Sequence, residues 1–104
     1  MAQFMIAYYG GNQFASKEEG MAHREKWMAW VKSLGEAVVN PGTPFMSTKI
    51  VTSTGVQDEA DSQAMKGFAM VKADSMEAAL EIARTDPFLG MDGTIRVSQM
   101  MEMP

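Results

Sequence analysis

The sequence has 104 residues, of which 46% are hydrophobic and 21% charged, with twelve methionines, one histidine and no cysteine. That size and composition predict a single ordered domain, residues 1–104, burying about two-thirds of its unfolded surface around a thin core. A net charge of −4 argues against nucleic-acid and anionic-membrane partners; the missing cysteines exclude disulfides and thiol nucleophiles, and one histidine cannot build a His-cluster metal site, so no metal centre is expected.

Residues 3–9 read as a strand, with Phe4, Ile6 and Tyr8 on one side and Met5, Ala7 and Tyr9 on the other. Both sides are apolar, so both faces should be covered. The stretch has no basic leader and only a short apolar run, so it reads as neither signal peptide nor membrane span, and a cytoplasmic protein is expected. Gly10-Gly11-Asn12 breaks the strand.

Ser16-Lys17-Glu18-Glu19 is a capping box that starts a helix, and Gly35 is its stop after Leu34. At about 100° per residue, His23, Trp27, Trp30 and Leu34 share one apolar stripe, with Val31 at its edge. The only histidine therefore sits beside two tryptophans.

Residues 36–40 read as a short extended stretch, and Pro41-Gly42-Thr43-Pro44 as a turn or loop. Residues 47–54 are rich in β-branched side chains and predict a strand. Residues 55–63, polar and acidic, predict the connection of a hairpin that leads to a strand over 64–73. In that strand Phe68 and Met70 face one way, and Gly67, Ala69 and Val71 the other. Asp74-Ser75-Met76-Glu77 is a second capping signature, with Asp74 as the expected cap. The helix it starts should run to about Arg84 with Met76, Ala79, Leu80 and Ala83 inward. Asp86-Pro87 ends it, and residues 94–101 form the last strand.

The order β-α-β-β-α-β is the ferredoxin-like pattern, an α+β fold with two helices on one face of an antiparallel sheet. The apolar residues on the other face of the first and third strands would then lie bare. Packing two sheets face to face hides them, which predicts a symmetric homodimer.

His23 is the first candidate for chemistry, as a general acid or base in an apolar pocket; a core histidine bonded to backbone or water is the plainer reading. Asp86 is either a turn former, the carboxylate that orients His23, or a carboxylate that itself moves a proton. Tyr8 stands at the end of a strand and could offer its hydroxyl to a ligand or only pack its ring. Asp58, Glu59 and Asp61 lack the pattern and glycine of a calcium loop and read as a solvated hairpin tip. No Gly-rich phosphate cradle or Gly-x-Ser-x-Gly elbow occurs.

Several segments in fixed order resemble the YCII-related proteins, close to their DGPF-type branch. They are Phe4-Met5-Ile6-Ala7-Tyr8-Tyr9-Gly10, Leu34-Gly35 before Val38-Val39-Asn40-Pro41-Gly42, Gly67-Phe68 before Ala73-Asp74-Ser75-Met76-Glu77-Ala78-Ala79, Thr85-Asp86-Pro87-Phe88-Leu89, and Gly93-Thr94-Ile95-Arg96-Val97. The Asp-Gly-Pro-Phe segment that names the branch is absent; Gln57-Asp58-Glu59-Ala60-Asp61-Ser62 stands in that region. The resemblance implies a dimeric α+β barrel with a cleft between sheet and helices. It also implies His23 and Asp86 as a catalytic pair, by motif position.

Three functions are compatible with this reading. One is a small cofactor-free enzyme in which His23 moves a proton, Asp86 fixes its tautomer, and Tyr8, Trp27, Trp30 and Phe88 bind a small organic substrate for lyase or isomerase chemistry. A second is a non-catalytic dimer that binds a small molecule or plays a regulatory role. A third is a cofactor-free monooxygenase of the related barrel type.

Overall fold

The computed structural model describes residues 1–103. The strands are β1 (Ala2–Gly10), β2 (Val38–Pro44), β3 (Lys49–Thr52), β4 (Gly55–Asp58), β5 (Met65–Ala73) and β6 (Gly93–Gln99). The helices are α1 (Lys17–Leu34) and α2 (Met76–Arg84), with short 3-10 turns at Gly35–Ala37 and Pro87–Met91. Four strands form one sheet in the order β2-β5-β1-β6, every neighbour antiparallel, while β3 and β4 pair only with each other. With that ribbon set aside the chain reads β-α-β-β-α-β, the ferredoxin-like α+β arrangement.

α1 begins where the capping box places it: the Ser16 hydroxyl accepts the Glu19 N–H at 3.1 Å, and Gly35 closes the helix at φ +56°. At α2 the cap is Ser75, not Asp74. Its hydroxyl accepts the Ala78 N–H at 3.1 Å from an extended backbone, φ −156°. Ala79 and Ala83 face the core as expected, Ile82 packs inward with them, and Leu80, expected inside, is exposed.

The middle of the chain departs from expectation. Pro41-Gly42-Thr43-Pro44 is not a turn but the outer half of β2, which lies at the sheet edge, where a missing N–H faces solvent without loss. The register with β5 slips twice along β2. At the slip Gly42 adopts φ +72°, and any Cβ there would collide with the Phe68 carbonyl. The β-branched stretch does form a strand, β3, but it turns back on Gly55–Asp58. The expected connection is thus half strand, and the ribbon stands outside the main sheet.

The core lies between the helices and one sheet face. Phe4, Ile6 and Tyr8 of β1 meet Ala69, Val71 and Ala73 of β5 under Trp30 of α1 and Ala79 of α2. Within one chain the opposite face, with Met5, Tyr9, Phe68 and Met70, has no helix over it. No helix among the described residues is long and apolar enough to cross a membrane.

Candidate active site

Tyr8 is the last large side chain that β1 sends toward the helices, so it lies where β1 ends and β6 begins. Asp86 precedes Pro87, which holds it out of α2 in an extended conformation (φ −70°, ψ 126°). From there its Oδ1 accepts the Phe88 N–H at 2.9 Å, capping the second 3-10 turn. Its Oδ2 accepts the Tyr8 hydroxyl at 2.5 Å. The carboxyl is only 3% exposed. Asp86 is therefore both a turn former and a buried acid paired with a residue 78 positions away.

The aromatic side chains close around this pair. Phe88 packs on Tyr8 with ring centres 4.9 Å apart. Its ring rests on Gly93, where a Cβ would collide with it. Trp30 is buried, and its indole N–H donates to the Thr85 hydroxyl at 2.8 Å, which in turn donates to the Ile82 carbonyl. Trp30 thus ties α1 to the segment that carries Asp86. Trp27, one turn earlier, is half-buried against the core.

His23 lies further along the same face of α1, partly exposed, its imidazole 5.5 Å from the Phe14 ring. Among the described residues no hydrogen bond joins it to Asp86, although the two charges act on each other. The structure therefore gathers Tyr8, Asp86 and Phe88 in direct contact, with Trp30 joined to the group through Thr85, Trp27 beside Tyr8 and His23 at the rim.

Burial dominates the protonation of all three polar groups. It pushes the Asp86 carboxyl above its ordinary 3.8, against the pull of the Tyr8 and Phe88 hydrogen bonds and of His23. It pushes the Tyr8 phenol upward, reinforced by the hydrogen bond to Asp86 and by that residue's charge, with the Trp27 side chain pulling the other way. It lowers the His23 imidazole from 6.5, opposed by Asp86 and aided by Lys26. The proton affinities of Asp86 and His23 are thereby drawn toward each other.

Two residues of this region were not singled out in the sequence. Thr85 carries no motif beyond adjacency to Asp86. Phe14 is one aromatic ring in a polar loop, and single exposed aromatics are ordinary. Two shallow concavities lie elsewhere, one of about 360 Å³ against the β6 end (Ala2, Gln99, Met100) and one of about 140 Å³ near Phe45 and Lys66.

Comparison with known proteins places this geometry in context. The family model described as the YCII-related domain matches residues 1–104. A solved structure, 5-chloro-2-hydroxyhydroquinone dehydrochlorinase (TftG) from Burkholderia phenoliruptrix AC1100 in complex with 2,5-dihydroxybenzoquinone, superposes with a TM-score of 0.60. It is 16% identical, over 97% of this chain and 95% of that one. That likeness is one of fold. No curated protein matches by sequence.

Proposed function

Because the chain belongs to the YCII-related domain family, we propose that it is a cytoplasmic, homodimeric acid–base enzyme acting on a small organic substrate by lyase or isomerase chemistry. His23, its imidazole kept neutral by partial burial, takes a proton from the substrate. Asp86, held by the Tyr8 hydroxyl and the Phe88 N–H, stabilises the imidazolium and favours the return of that proton. Trp27 and Phe88 wall the substrate, Tyr8 holds the carboxyl, and Trp30 acts through Thr85 as a positioning residue. Base, acid and walls all come from the chain itself, so the reaction asks for no cofactor.

The observation that carries this reading is the Tyr8–Asp86 hydrogen bond, 2.5 Å long and nearly dry, beside the only histidine. A core carboxyl serving only as a cap would be satisfied by backbone N–H groups at the surface. Here the carboxyl is buried, its proton affinity is raised, and an imidazole of lowered affinity feels its charge. Groups tuned in this way are characteristic of proton-transfer sites. The half-buried apolar sheet face that no helix covers, Met5, Phe68 and Met70, supports the homodimer. That a protein of the same fold is named a dehydrochlorinase of a hydroxylated ring makes such rings, with and without a halogen, the first compounds to screen.

The test is turnover by the purified full-length chain on a panel of hydroxylated rings and small lactones. His23→Ala is expected to lower the rate about 10²–10⁴-fold, the usual contribution of positioned acid–base catalysis, with the fold intact by circular dichroism. Full activity in that variant would exclude His23 as the base.

A further inference from the structure

The segment between β1 and α1 brings Phe14 back against His23 of α1. It leaves β1 through Gly10 and Gly11, both at positive φ (+68° and +87°), a backbone that other residues rarely adopt. The Asn12 N–H then donates to the Met91 carbonyl at 2.7 Å, fastening the strap to the turn that carries Phe88. Beyond this anchor Phe14 folds down onto α1, and its ring centre lies 5.5 Å from that of His23, tilted by 40°.

What makes room for the ring is Gly20. A Cβ at that position would stand 3.2 Å from Phe14 Cδ2, tighter than ordinary contact. Gly20 and His23 are three residues apart and share one side of the helix. The Phe14 ring therefore lies over a notch in α1 and against the imidazole. It is 43% exposed, so one side of the ring faces water while the other shields His23. Glycine weakens a helix interior, and here it admits an aromatic ring.

We propose that Phe14 is the access-determining residue of the His23 site: it screens the imidazole from water, and a substrate reaches His23 by displacing its ring on the short segment between the Asn12 anchor and the Ser16 cap. The role of Phe14 as a gate rests on the acid–base reading of the site; its shielding of His23 does not. Asp86 and Lys26 are the charged groups whose fields act on the imidazole, and none of the variants below alters either.

Because the chain has one histidine, proton NMR of the imidazole Cε1–H reads this contact through a single resonance, with no substrate present. In Phe14→Ala the resonance should lose its ring-current shift and its titration midpoint should rise toward the ordinary 6.5. Phe14→Tyr, which keeps the ring, should restore both. Gly20→Ala should move the resonance in the direction of Phe14→Ala while raising the thermal midpoint of the protein, because alanine favours the helix. A purely structural packing role would not pair those two signs. A Phe14→Ala titration that superimposes on the wild type overturns the proposal, as does a Phe14→Tyr variant that behaves like Phe14→Ala. Neither result bears on whether His23→Ala loses turnover, so the two readings fail separately.

Discussion

The β1–β5 pair and the β3–β4 ribbon are built on the same antiparallel ladder, and they differ in what lies over them. In the first, Phe4 stands opposite Val71 and both are buried under the helices. In the second, Val51 stands opposite Val56, and the two are 75% and 67% exposed. Each region also pairs a carboxylate with a side chain. Asp58 of the ribbon meets Lys49 in open solvent, where such pairs contribute little. Asp86 meets Tyr8 in a nearly dry interior, where burial raises the proton affinity of both groups. Cover, more than the ladder, separates a stabilising and chemically tuned region from a decorative one; an isolated two-stranded ribbon is marginal in water.

The comparison is tested most severely in the covered region. Phe4→Ala removes a fully buried ring from the β1–β5 pair and should cost about 3–5 kcal/mol, read as a shift in the urea midpoint at constant slope. A loss below about 1 kcal/mol would mean that the sheet face is less well packed than its burial indicates.

Asp86→Asn separates stability from chemistry at the same site. The asparagine can still accept the Phe88 N–H and still meet Tyr8, so the fold should persist while turnover falls about 10²–10⁴-fold. The linkage has a definite sign. The Asp86 pKa is raised in the folded state, so its contribution to stability is fully present below the unfolded value near 3.8 and is lost as pH rises through the folded value. The stability of the wild type relative to Asp86→Asn should therefore decline from about pH 4 upward, as measured by urea melts across a pH series. A wild-type advantage that grows with pH would show that the carboxylate, not the acid, is the form the fold prefers.

The sequence carried the covered region well and the ribbon poorly, for one reason. Alternation in β1 and β5, the Ser16 cap and the Gly35 stop are local signals that agree with the global fold, so the ferredoxin-like order was legible. The β-branched run at residues 47–54 announced a strand, but propensity does not say which sheet a strand joins. Pro41 and Pro44 announced a turn, because a proline-bearing strand is admissible only at an edge, and edge position is a tertiary fact. At the site, Asp86 and Tyr8 were visible as candidates, yet their contact spans 78 residues and no spacing rule reaches that far. Trp30 read as a binding residue because an indole on an apolar stripe looks the same whether its N–H meets a ligand or, as here, Thr85.

The smallest expected effect is the one that most directly asks whether the ribbon lies outside the packed structure. Val51→Ser replaces a side chain that is 75% exposed, and substitutions of that kind move stability by about 0.5 kcal/mol or less. The urea midpoint should therefore stay close to the wild type and should not depend on protein concentration beyond what the wild type itself shows. The proposed homodimer supplies the alternative outcome, since a surface bare in one chain can be seated on another. In that case Val51→Ser would lose more than about 1 kcal/mol, the loss would grow on dilution because dissociation is linked to unfolding, and sedimentation at micromolar concentration would show more free 11.4 kDa chain than in the wild type. That result would move the ribbon from the uncovered side of the comparison to the covered one, and the contrast between Val51 and Phe4 would then be one of partner chain against own helix.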